Sequence, residues 1–311
     1  MCGVTGAGVN PVTRENEVAC NLRARNASKL ETPGRGCAPW MASGVIHPLP
    51  TASLEMRKLM SSSKVALVTG SGKRRVGWHV AEALAARDCA LAVHYRSSSA
   101  EAAETVEAFR SRGVEVVALQ ADLTDEGSVR GLIDETLARF GRLDVLVNCA
   151  AAWKSKKLEE VQAADVRHYF ETNTLGTFLC SQQAGLAMVR QPQGGCIVTL
   201  GDWAVCRPYV NYAAYFPSKG AIPTLTRTLA VELGSRNPAV RVNCILPGPV
   251  LLPPDLPEEE RRQAIEATLV KREGKPENIA QAVLFFLDND FVTGVCLPVD
   301  GGRTVFAPDS V

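Results

Sequence analysis

Residues 64–77 read Lys64-Val65-Ala66-Leu67-Val68-Thr69-Gly70-Ser71-Gly72-Lys73-Arg74-Arg75-Val76-Gly77, and a helical pattern follows over Val80–Arg87. A short, continuously apolar run that ends in glycines suits a strand covered on both faces. Glycines at the strand-to-helix turn let backbone amides approach a phosphate, with the positive end of a helix dipole behind them. The spacing of Gly70, Gly72 and Gly77 fits neither GxGxxG nor GxxxGxG. Position gives the turn its meaning, because it opens the first βα unit of the chain.

The same grammar repeats outward from that unit. Further apolar runs lie at Ala90–His94, Glu115–Gln120, Val145–Asn148, Cys196–Leu200, Val240–Ile245 and Val295–Val299. Helix spacing fills the intervals at Ala100–Arg110, Val129–Phe140, Val166–Val189, Ala221–Leu233 and Glu277–Leu287. Buried strands that alternate with helices predict an α/β fold: one doubly wound domain over 64–311, with a seven-stranded parallel sheet flanked by helices. Its ligand is expected beyond the carboxyl ends of the strands. Residues 1–63 show no sustained period and are expected to be a disordered extension. Their arginine excess faintly resembles a transit peptide, and Met56 or Met60 would equally serve as a start.

Composition narrows the function. The chain has 311 residues with 34 Lys+Arg against 33 Asp+Glu, so a net charge of +1 gives no reason to expect nucleic acid or an anionic membrane surface as partner. No apolar run reaches the roughly 18 residues of a membrane helix. Ten cysteines are scattered without a CxxC pair, and four histidines (His47, His79, His94, His168) lack metal-ligand spacing. A cytoplasmic protein acting on a small molecule, with buried free thiols and no metal, is expected.

Two segments carry the chemistry. The second strand ends in His94-Tyr95-Arg96-Ser97-Ser98, without the acid that would hold the ribose hydroxyls of NAD. Arg96 and the serines suit a 2′-phosphate instead, and Arg74 or Arg75 offers a second cation, so NADP(H) is the expected cofactor. Asp122 after the third strand is read either as an adenine contact or as a cap of the next helix. Further on, Tyr215-Phe216-Pro217-Ser218-Lys219 puts a phenol and an ammonium on one face of a helix. A fixed cation there is expected to lower the phenol's pKa and fit it for proton transfer.

With these residues in order, the stretch from Lys64 to Val305 resembles a short-chain dehydrogenase/reductase with a Rossmann-type domain. Thr69-Gly70, Asp122, Asn148-Cys149-Ala150, Asn173, Tyr215 with Lys219, Pro247-Gly248, Thr293-Gly294 and Val299-Asp300-Gly301-Gly302 carry the resemblance. It implies that Tyr215 is the acid/base and that Lys219 holds the nicotinamide ribose. It implies that Asn173 organises a proton-relay water. The cofactor contacts it implies include Gly70, Lys73, Arg74, Arg75, Gly77, His94, Tyr95, Arg96, Ser97, Asp122, Leu123, Asn148, Ala150, Pro247 and Gly248. It also implies a homotetramer packed through Val166–Val189 and Ala221–Leu233.

Thirteen residues before the tyrosine, where the family usually has serine, stands Asp202. An ionised carboxylate cannot donate a hydrogen bond to a forming alkoxide, and it opposes that charge. It suits a substrate with N–H groups or a C=N bond. An aspartate there is the pattern of the pteridine reductases, which Lys73-Arg74 and Asn148-Cys149-Ala150-Ala151-Ala152-Trp153 also resemble; Trp153 is then expected to stack on a pterin. Core or lid packing is the plainer reading of that indole. The expected activity is NADPH-dependent reduction of a pterin-like cyclic C=N or carbonyl compound. The alternatives are a 3-oxoacyl or xenobiotic carbonyl reductase and a non-catalytic NADP-binding redox sensor. The loop Pro249–Pro257 is expected to close over the substrate as a lid. An extra residue between Arg74 and Gly77, and Pro217 and Pro223 within one helix, depart from the pattern and are expected to displace the turn or kink the helix.

Overall fold

In the computed structural model, which describes residues 63–306, the seven expected strands form one parallel sheet in the order β3-β2-β1-β4-β5-β6-β7. They are β1 (Val65–Thr69), β2 (Ala90–Tyr95), β3 (Val116–Gln120), β4 (Val145–Asn148), β5 (Gly195–Leu200), β6 (Val240–Pro247) and β7 (Cys296–Val299). Eight α-helices join them: α1 (Val76–Ala85), α2 (Ser99–Arg110), α3 (Glu126–Phe140), α4 (Ala163–Tyr169), α5 (Gly176–Val189), α6 (Phe216–Gly234), α7 (Glu258–Glu266) and α8 (Pro276–Asp288). The expected extension over 1–63 falls, except for Ser63, outside the described residues.

Side chains alternate across each strand, and two cores result. Ala66, Val68, Val145 and Val147 point to the face covered by α1, α2 and α8, where Trp78, Phe109, Ile279 and Phe286 are buried. Val65, Leu67 and Leu146 point to the face covered by α3, α5 and α6, where Leu132, Met188, Ile197 and Leu229 pack. Register then fixes the site. Pairing of Thr69 with Asn148 and of Leu200 with Ile245 aligns the carboxyl ends of β1, β4, β5 and β6 along one edge. The chain order reverses between β1 and β4, and a crevice opens there.

Several boundaries differ from expectation for local reasons. Helix α1 starts at Val76, four residues early; its first turn, Val76-Gly77-Trp78-His79, follows directly on the glycine turn and includes a glycine of its own, so helix spacing does not mark it. The single helix expected over Val166–Val189 is α4 and α5 joined by a π-helical segment, Phe170–Leu175, that contains Asn173. Helix α7 was not expected, since none of its residues is buried; only Pro257 ahead of Glu258-Glu259-Glu260 marks its start. The kink expected at the prolines does not interrupt α6. Pro217 lies in the first turn, where its missing N–H is harmless, and the helix runs on through Pro223.

Candidate active site

The glycine turn is built by its neighbours. Gly70 has φ +66, and a Cβ there would lie 2.9 Å from the Ala150 Cα, so side chains are barred by backbone conformation and by space. A Cβ on Gly77 would lie 3.0 Å from the Gly70 carbonyl, which lets α1 come close to β1 despite the inserted residue. The Thr69 hydroxyl accepts the N–H groups of Cys149 and Ala150 at 3.0 and 3.1 Å, clipping the end of β1 to the segment after β4. By helix geometry the N–H groups of Val76 and Gly77 open α1 without an intrahelical acceptor.

His94, expected to touch the cofactor, serves the turn from beneath. Its Nδ1 accepts the Gly70 N–H at 3.0 Å, and its Nε2 meets the Ala121 carbonyl at 3.1 Å. That arrangement requires a neutral ring with the proton on Nε2. Burial pushes its pKa down, against the opposing pull of the Ala121 carbonyl and Asp122. Asp122 does not cap α3. Asp125 does, accepting the Ser128 N–H at 2.7 Å, while Asp122 binds the Thr124 N–H and hydroxyl. Leu123 is buried against Gly176.

The cations stand at the open edge. Lys73, Arg74, Arg75, Arg96 and Ser97 are exposed beside half-buried Tyr95. Lys73 pairs with Glu101 at 2.8 Å, and the Arg74 guanidinium sits over the Trp78 ring at 4.6 Å. Across the crevice, Asn148 gives its amide to Ser181, but its buried Oδ1 has no partner among the described residues. Glycines that admit a phosphate, an unpaired acceptor at the crevice and unpaired Arg96 beyond β2 fit a dinucleotide. Pro247 and Gly248 end β6 on the same edge, with Gly248 packed so tightly on Asp300 that a Cβ would clash.

The reacting groups converge where β5 ends. Tyr215, at the head of α6, donates its hydroxyl proton to Asp202 Oδ2 at 2.9 Å. The other oxygen, Oδ1, accepts the Ala204 N–H at 2.8 Å. Lys219 is buried and donates to the Leu200 carbonyl at 2.8 Å. Burial raises the Asp202 carboxyl, against the two hydrogen bonds and the nearby ammonium, and burial lowers the Lys219 ammonium. The phenol is pushed upward, first by burial and then by the Asp202 charge. The expected lowering by Lys219 is therefore overturned, because the carboxylate stands closer to the phenol than the ammonium does in effect.

Asn173 lies one layer behind. Its side chain receives the Ala152 N–H at 2.8 Å and donates to the Ala152 carbonyl and the Ser218 hydroxyl, both at 3.0 Å. It thus ties the segment after β4 to α6, and those bonds leave its amide nitrogen no further proton for a water. The π-helical turn supplies the outward step that permits this.

Aromatic rings form the wall of the site, and sequence reasoning named only one apart from Tyr215. Trp153 is 50% exposed and stacks on Tyr212 at 6.4 Å. Tyr212 lies 6.1 Å from Tyr215 and 5.1 Å from Tyr209, which stacks on Trp203 at 5.9 Å. Four of the chain's five tyrosines meet here, Tyr169 included. The three-residue spacing of Tyr209, Tyr212 and Tyr215 was the available signal. The Pro249–Pro257 loop is anchored at its base, where Glu273 accepts the Leu252 N–H at 2.7 Å and pairs with Arg261 at 2.9 Å.

Comparison with known proteins finds relatives over most of the chain. The family described as enoyl-(acyl carrier protein) reductase matches residues 70–304. An uncharacterized oxidoreductase of Methylorubrum extorquens is 35% identical over 246 residues, 77% of this chain and 97% of that protein. The 3-oxoacyl-(acyl-carrier-protein) reductase of Staphylococcus aureus is 32% identical over 247 residues, 78% of this chain and 99% of its own length. Among solved structures, a short-chain dehydrogenase/reductase from Serratia marcescens superposes with a TM-score of 0.72 at 32% identity, covering 78% of this chain and 98% of that one. A blue fluorescent protein from a metagenomic library, solved in complex with NADPH, gives 0.70 at 31% identity, with 77% and 97% covered.

Proposed function

This chain belongs to the short-chain dehydrogenase/reductase family, and we propose that it is an NADPH-dependent reductase of a small carbonyl compound. The observation that carries the reading is the Tyr215 phenol, buried and hydrogen-bonded to Asp202 at 2.9 Å beside the buried Lys219. Burial and the Asp202 charge keep the phenol protonated, so Tyr215 acts as a proton donor, which is the direction a reduction needs. Bound along the crevice, the reduced nicotinamide would supply hydride to the substrate carbon. Gly70, Gly77 and the start of α1 hold the pyrophosphate, Asn148 faces the crevice, and Arg96 with Ser97 reads the 2′-phosphate.

Asp202 completes the donor. Its raised carboxyl pKa widens the range in which it is protonated, and a protonated Asp202 gives a hydrogen bond to the developing oxyanion as serine would. When it is ionised it instead accepts from Tyr215 and from substrate N–H groups. A second reading rests on that acceptor and on the Trp153–Tyr212 stack: reduction of a pterin-like cyclic C=N bond, with the flat ring against the aromatic wall. The relatives named above favour the carbonyl reading. The proposal includes a homotetramer packed through α4, the π-helical segment, α5 and α6, where exposed Phe170 and Leu175 of that segment and Val231 of α6 offer apolar surface.

The test is NADPH oxidation by the full chain with an acetoacetyl thioester, a simple ketone, dihydrobiopterin and dihydrofolate, for wild type and Tyr215→Phe. Turnover with the carbonyl compounds, lost roughly 10²–10⁴-fold in the variant while NADPH binding persists, is the expected result. Turnover of the pterins alone moves the second reading to first place. NADPH binding with no turnover of any class would leave a binding protein.

A further inference from the structure

Cys244 and Cys296 face each other across the last two strands. They are register partners in the β6–β7 pair. Parallel pairing spaces strands by roughly 4.8 Å, inside the Cα separation of roughly 4.4–6.8 Å that a disulfide spans. Each thiol donates to a backbone carbonyl, Cys244 to that of Ile245 at 3.4 Å and Cys296 to that of Pro223. Both lie on the α6 side of the sheet. Cys244 packs fully buried with Ile222 and Leu246, whereas Cys296 is half-buried, 4.0 Å from the Pro223 carbonyl, at the rim. The reactive edge is adjacent: a Cβ on Gly201, which precedes Asp202, would lie 3.3 Å from the Cys244 sulfur, and Lys219 is one helical turn before Pro223.

These thiols differ from their neighbours. Burial raises Cys149 and Cys180 to about 12 and Cys196 to about 11, which makes them inert. Cys296 is pushed down to about 7, first by the neighbouring Cys244 thiol, then with help from Arg227, against its own burial. Cys244 is held up correspondingly by that neighbour and by burial. The half-buried sulfur carries a substantial thiolate fraction near neutrality; its partner is enclosed and protonated.

We propose that Cys296 and Cys244 form an oxidisable dithiol beside the active site, in which Cys296 reacts with a hydroperoxide and Cys244 then closes a disulfide. The Cys296 thiolate attacks the peroxide, the O–O bond breaks, and sulfur gains oxygen as a sulfenic acid while the peroxide is reduced to an alcohol or water. The Cys244 sulfur next attacks the Cys296 sulfur. An S–S bond forms, the S–O bond breaks, and hydroxide leaves with the Cys244 proton as water. Closing the bond turns the two sulfurs toward each other and away from their contacts at Gly201 and Pro223, which lie beside Asp202 and Lys219. Turnover falls on oxidation and returns on reduction.

The full chain, reduced and then treated with hydrogen peroxide, is digested without reductant and analysed by mass. A peptide pair joining Cys244 and Cys296, two hydrogens lighter than its thiols, is expected. Cys296→Ser should abolish the pair while keeping reduced-state turnover, and Cys244→Ser, which keeps a polar neighbour for Cys296 but has no sulfur to close the bond, should leave a sulfenic acid at Cys296 that dimedone traps. In the same samples NADPH oxidation should drop roughly tenfold or more and recover with dithiothreitol, the scale of loss when a reacting group is misplaced. Oxidation of exposed Cys206 with Cys244 and Cys296 left as thiols would overturn the dithiol. A cross-link with turnover unchanged would overturn its link to the site. The activity arm rests on the reductase reading and the mass arm does not, so failure of that reading is told apart from failure of the dithiol.

Discussion

Asp202 is the residue on which substrate choice turns, and its two hydrogen bonds define what replacing it removes. Asp202→Ser supplies a hydroxyl that can donate or accept but loses the carboxylate, whose two oxygens accept from Tyr215 and Ala204 and can pass a proton on. Ketone reduction is expected to hold or rise, whereas reduction of a C=N bond should fall roughly 10²-fold or more as the proton relay is lost. Steady-state rates on one ketone and one pterin check this. The pH profile supplies the sign: burial raises the Asp202 carboxyl, so wild-type ketone reduction should fall as pH rises through that raised value, and the variant should lack this limb. Arg96 is the matching residue for the cofactor. It is exposed past β2 and makes no ion pair among the described residues, although Asp122 is near enough to feel its charge, so Arg96→Asp should cost NADPH roughly 10–100-fold in affinity and flatten or reverse its advantage over NADH. Titration of both nucleotides into both proteins decides it, and a wild type preferring NADH contradicts the reading.

At the scale of elements, the turn between β1 and α1 depends on a histidine of the next strand, β2. The His94 ring accepts from Gly70 only while neutral. Its unfolded pKa is roughly 6.5, and burial depresses the folded value. Below the unfolded value the unfolded chain takes up a proton that the native chain refuses, so stability is full above about 6.5 and declines as pH falls, levelling off under the folded value. Urea unfolding from pH 8 to pH 5 should show that decline. His94→Asn keeps an acceptor for Gly70 but loses the bond to Ala121, so it should cost ~1–2 kcal/mol at pH 8 and show a shallower acid slope. An unchanged slope would remove His94 as its source. The helix after β6 teaches the opposite lesson: α7 has no buried face, and only its acidic first turn after Pro257 distinguishes it from a loop.

For the whole molecule, every strand of the sheet and every residue of the site lies after Ser63. A chain begun at Met60 should therefore keep its melting temperature within a few degrees and its turnover within about twofold; a large loss in either would assign residues 1–59 a structural part. A local reading of the chain yields the seven strands, their parallel sense, the glycine turn and the candidates Tyr215, Lys219 and Asp202, while the strand order comes from the fold. Apolar runs, glycine positions and four-residue helix spacing are local properties, and a linear chain displays them. Tertiary structure settles which of these groups meet. Asp202 and Tyr215 are thirteen residues apart and Asn173 and Ser218 forty-five, and register and helix packing bring each pair within hydrogen-bond reach; Cys244 and Cys296, fifty-two apart, meet as register partners. Burial at the site then sets the direction of each shift: it raises the Tyr215 phenol and the Asp202 carboxyl and lowers the Lys219 ammonium. Desolvation depends on everything packed around a group, which no stretch of sequence contains.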